Sequence, residues 1–199
     1  MNGSYRDAIQ SFAEVAAAYC RLIERRHEQG LDAFIAELDA LLPRLYSGGR
    51  AMAEHQPENL LLLDEKEVLD QISFDELIEP NQAARSAVDA LAAELKELLG
   101  DNDQHYVGVN YTHPSRPDSP VNGELPDTDV WFESTGWELA EMYESIRTEL
   151  RFFRQGDIED AGRGWLFGFY GTWGQYIPHL LGETFRLAHE TISQEPTEL

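Results

Sequence analysis

An all-α fold, a single-domain bundle of five or six helices with one long proline-rich loop, is the expectation that three observations support. Apolar residues recur three and four positions apart over long stretches at both ends of the chain, the spacing that lines up one face of a helix. Those stretches are separated by short Gly and Asp breaks that read as helix stops and starts. At 199 residues the chain is of one-domain length, enough to bury about 70% of its unfolded surface.

Taken in order, residues 1–49 read as a helical hairpin. Ser4 with Asp7 three positions on resembles a capping box, and Ile9, Phe12, Ala16, Tyr19 and Ile23 form a 3-4-3-4 stripe ended by Gly30. Asp32 then caps a second helix carrying Phe34, Ile35, Leu38, Leu41, Leu42 and Leu45. Pro43 is expected to bend or end that helix, and Gly48-Gly49 to close the hairpin. Residues 50–80 read as irregular: Leu60–Leu63 is a buried segment of unassigned type, and Phe74–Ile78 a short helical turn stopped by Pro80. A helix over 81–99 follows from Val88, Leu91, Ala92, Leu95, Leu98 and Leu99, with Gly100 as its stop. Residues 100–134, with Pro114, Pro117, Pro120 and Pro126, read as a long acidic loop.

The chain is expected to be organised around a C-terminal helix pair, residues 135–192. Its first helix has the stripe Leu139, Tyr143, Ile146, Leu150 and Phe153, and Gly156 is its C-terminal stop. Asp157 is a candidate cap for the second helix. That second helix has two apolar faces. Trp165, Phe169, Trp173, Tyr176 and Leu180 form one; Leu166, Tyr170, Ile177, Leu181 and Phe185 form the other. Between them runs a line of small residues, Ala161, Gly164, Gly168, Gly171 and Gly174. A glycine inside a helix costs about 1 kcal/mol against alanine, so the line needs a reason, most simply a notch that admits a ring or another backbone. Alternating Trp165, Phe167 and Phe169 would also suit a strand; helix is preferred because the flanks keep helical spacing.

The run LAEMYESIRTELRFFRQGDIEDA, followed about ten residues later by TWGQY, resembles a bacterial family known only as domain of unknown function 5063. The likeness is strongest over Leu139–Leu181 and looser at Phe12–Leu22 and Leu38–Tyr46. The resemblance implies a small all-α fold and supplies no activity. In that family a histidine often precedes the Trp-Gly pair; this chain has Thr172 there, which argues against a required histidine.

Charge narrows the function classes. The chain has 37 acidic and 15 basic residues, a formal charge of −22. Residues 51–84 and 117–146 each carry −8 of it. Nucleic acids are unfavourable partners, because binding them rests on neutralising phosphates, and anionic membranes are unfavourable for the same reason. No apolar run approaches the roughly 20 residues of a spanning helix, and no signal peptide is visible. The one cysteine, Cys20, fits a reducing compartment, so the cytoplasm is the expected location.

Candidate chemistry is thin. Glu24-Arg25-Arg26-His27 is a single ExxH pair, whereas di-iron bundles use two with further glutamates. Arg21 and His27 match a loose Arg-x5-His spacing of some helical ribonucleases, a pattern that recurs by chance. His179 and Glu183 lie one turn apart but lack a third ligand, so no metal and no cofactor are expected. His105 and His113 read as loop residues, Cys20 as an inert buried thiol, and phosphate-loop, dinucleotide and nucleophile-elbow motifs are absent from the sequence. The expected function is a non-catalytic protein-interaction module whose partner is another protein, with a basic one favoured by the acidic charge. The alternative is a small helical enzyme or ligand-binding bundle with a site near Tyr143, Trp173, His179 and Glu183. Candidate binding residues are those four with Trp165, Gly171 and Gly174. A homo-oligomer, commonly a two-fold dimer, is the base-rate expectation.

Overall fold

The computed structural model describes residues 3–57, 74–109 and 130–193. Within them the chain is an all-α bundle of six helices: α1 Gly3–Glu24, α2 Leu31–His55, α3 Phe74–Leu99, α4 Thr135–Gln155, α5 Ile158–Gly171 and α6 Trp173–Ser193. A two-stranded antiparallel ribbon, β1 Gln104–Val109 and β2 Val130–Ser134, joins α3 to α4. Its register pairs Gln104 with Ser134 and Val109 with Val130, with an irregularity between Tyr106 and Gly108.

The 3-4-3-4 stripe of α1 does what its spacing dictates. Tyr5, Ile9, Phe12, Ala16, Tyr19 and Ile23 are all buried to within 1%, and α1 packs against α2, α4 and α5 at once. The centre of the bundle is therefore shared between α1 and the C-terminal helices rather than belonging to the latter alone. α4 also packs on α3 and α5, and α6 closes the bundle against α2. Polar clamps join the helix pairs: Thr184 Oγ1 donates to Asp39 Oδ1 at 2.9 Å, and His27 Nε2 lies 3.0 Å from Glu94 Oε2, which Arg26 also engages.

Five expected boundaries are corrected. Helix α2 does not end at Pro43 or at Gly48-Gly49 but runs to His55, because its apolar stripe continues through Leu42, Leu45, Gly49 and Met52, all buried. Its two glycines are packing notches: an added methyl at Gly48 would come within 2.8 Å of the Phe12 ring, and one at Gly49 would strike Phe169. Its N-cap is Gly30 rather than Asp32, which sits in the first turn. Helix α3 begins at Phe74 and passes through Pro80, so 50–80 is helical at both ends; Leu60–Leu63 lies outside the described residues. The stretch 100–134 is not all loop, since its two ends pair as the ribbon. Its proline-rich part, 110–129, with His113, also lies outside the described residues. Finally, the C-terminal pair is three helices, broken a second time at Thr172.

The junction of ribbon and bundle depends on Asp103. Its side chain is 2% exposed. Oδ1 accepts from Gly136 N–H at 2.8 Å and from Ser134 Oγ at 3.0 Å, while Lys96 Nζ lies 3.8 Å from Oδ2. Ser134 Oγ in turn accepts from Trp137 N–H and caps α4. A carboxylate at this helix start satisfies a free N–H and complements the positive end of the helix dipole. At the other end of α4, Gly156 is left-handed with φ 97°, and its N–H returns to the last carbonyls, as the glycine stop requires.

Candidate functional site

The proposed site residues separate into three places. Tyr143 lies between α1 and α4, where its hydroxyl donates to Glu24 Oε1 at 3.0 Å. The Arg147 guanidinium stands 5.3 Å from its ring centroid and is itself held by both oxygens of Glu144 at 2.9 Å. Burial, followed by the hydrogen bond to Glu24, pushes the Tyr143 phenol up to about 12. Burial with Glu24 nearby does the same to Cys20. Both groups stay protonated near neutrality, so neither Tyr143 as a base nor Cys20 as a nucleophile has the ionised form its chemistry needs. The ExxH pair is divided: Glu24 serves Tyr143, and His27 serves Glu94.

Trp165 and Trp173 are core residues, both fully buried. Trp165 donates its indole N–H to the Ile146 carbonyl at 3.1 Å. Phe12 meets Trp165 edge-on at 4.9 Å and stacks on Trp173 at 5.5 Å. The small-residue line is explained by these rings and their neighbours. A methyl at Gly168 would strike the Trp173 indole, one at Gly174 the Phe169 carbonyl, and one at Gly164 the Glu149 carboxylate. Gly162 is a further notch, against Ile9. Gly171 is the exception and a correction: nothing lies within 4 Å of a methyl placed there.

His179 and Glu183 form the third group, on α6. His179 Nδ1 lies 3.6 Å from Oε1 of Glu138, a wholly buried carboxylate of α4. Glu183 is held by Arg186 at 2.9 Å. Beside them the Tyr176 hydroxyl donates to Glu141, and Trp137 meets the Tyr176 ring edge-on at 6.4 Å. Glu138 and Tyr143 are five residues apart on α4, about 140° around the helix, so the His179 and Tyr143 clusters occupy different faces. The structure therefore does not gather Tyr143, Trp173, His179 and Glu183 into one site. Among the described residues, no group of three or more His, Cys, Asp or Glu side chains is placed to hold a metal ion, and no helix is long and apolar enough to cross a membrane.

What the sequence reading missed is on the outside of α5. Phe167 is 74% exposed and Tyr170 47%, three positions apart and so adjacent on one helix face. The Tyr170 and Tyr46 rings each lie 5.7 Å from Phe169, and Tyr46 is itself 37% exposed. Gln56 Nε2 donates to the Tyr170 hydroxyl at 3.2 Å, which fixes that ring. Gly171 borders the same surface. The available signal was that Phe167 belongs to neither apolar stripe, a large ring with no inward position assigned to it.

No curated protein matches the chain. Among solved structures, the crystal structure of protein BF1032 from Bacteroides fragilis is similar, with a TM-score of 0.55 at 17% identity, covering 96% of each chain; at that identity the likeness concerns the fold alone. The profile of the family described as Domain of unknown function (DUF5063) matches residues 3–183, from the first turn of α1 to the middle of α6 and not only the C-terminal third. The chain belongs to the DUF5063 family.

Proposed function

We propose that this protein is a non-catalytic interaction module that binds a basic partner protein. The observation that carries the reading is the solvent-facing aromatic surface of Phe167, Tyr170 and Tyr46 on a chain of net charge −22. Aromatic anchors supply contact area at a protein interface, and a strong single-sign charge steers an oppositely charged partner and rejects like-charged ones. Polar groups of the kind that serve catalysis are engaged inside the bundle: Tyr143 with Glu24, Glu138 with His179, Asp103 with the start of α4.

The test is purification of the tagged full-length chain from its native cells at low ionic strength, followed by a salt gradient. The expected result is one stoichiometric protein with more Lys and Arg than Asp and Glu. It should be released as the screening length falls from about 10 Å at 0.1 M salt to about 3 Å at 1 M. A chain that emerges alone at every salt concentration, or with an acidic partner, overturns the proposal.

A further inference from the structure

We draw no further inference here: the strongest candidate, the outer face of α5 with the exposed rings of Phe167 and Tyr170, is the surface already described, and nothing in the structure shows what covers it.

Discussion

The inner and outer faces of α5 are built from the same two residue types and do opposite things. Inside, Trp165, Gly168 and Phe169 interlock with Phe12, Phe153 and Trp173, Gly168 marking where the Trp173 indole needs the space. Outside, Phe167, Tyr170 and Gly171 make the same glycine–aromatic pattern with solvent over it. A glycine next to aromatic residues is thus not in itself a packing signal. What separates the faces is the 100° step of the helix, which puts Phe167 and Phe169 on opposite sides although they are two residues apart.

The largest expected effect breaks that comparison directly. Phe169→Ala removes a ring that is 8% exposed and touches Tyr46, Tyr170 and Trp173, and should cost about 3–5 kcal/mol of unfolding free energy. Phe167→Ala removes a ring that is 74% exposed and should stay within about 0.5 kcal/mol of wild type. Urea midpoints at constant m-value measure both. Equal losses would mean that Phe167 is covered in solution, and the outer face would no longer be available for docking.

Next in size is the glycine that abuts backbone rather than a side chain. A methyl at Gly174 would strike the Phe169 carbonyl, which cannot rotate away as a side chain can. Gly174→Ala should therefore lose about 1–3 kcal/mol to overpacking, more than the helix-propensity gain returns. A midpoint equal to or above wild type would show that the α5–α6 break is not pinned by this contact.

How much of this was legible beforehand follows from what each signal measures. The stripes of α1 and α4 were, because Phe12, Tyr19, Tyr143 and Ile146 recur at helical spacing and nothing competes with that pattern. The end of α2 was not. Pro43 and Gly48-Gly49 are stop signals locally, yet burial of Leu42, Leu45 and Met52 and the seating of Phe12 and Phe169 rings over the glycines outweigh them. The break at Thr172 was missed because both apolar faces continue across it; its own N–H and hydroxyl still return to the Gly168 carbonyl at 2.9 and 3.0 Å. Asp103 was hidden by distance, since its partners Ser134 and Gly136 lie more than 30 residues on. Of the candidate site, the residue types were legible but their grouping was not: Tyr143, Trp173 and His179 lie on different packing faces, a property of the helix arrangement rather than of local spacing.

A smaller effect concerns the carboxylate in the Gly164 notch. Burial, then the nearby Asp160, raises the Glu149 carboxyl above its ordinary value of 4.5. In the window above that value the folded state holds more protons than the unfolded one, so stability falls as pH rises through it. Glu149→Gln should raise the urea midpoint at pH 7 and flatten the decline above pH 4.5. An unchanged slope would show that the carboxylate is as well solvated folded as unfolded.

The smallest effects, and the reverse in sign, belong to the two open glycines. Gly182 lies inside α6 with nothing within 4 Å of an added methyl, so Gly182→Ala should stabilise by about 0.5–1 kcal/mol through propensity alone. Gly171 is equally open but is the last residue of α5. Among the described residues only Gly100 and Gly156 have positive φ, so alanine at 171 meets no backbone strain. At a helix end only part of the propensity difference is realised, and the gain should be about 0.3–0.5 kcal/mol. The small-residue line read alone, with Gly171 a notch like Gly168 and Gly174, gives the opposite sign, destabilisation by overpacking. The two signs are far enough apart for a urea titration to choose between them. A lower midpoint for Gly171→Ala would mean that something covers α5 there in solution, and would turn the outer face into a second inner one.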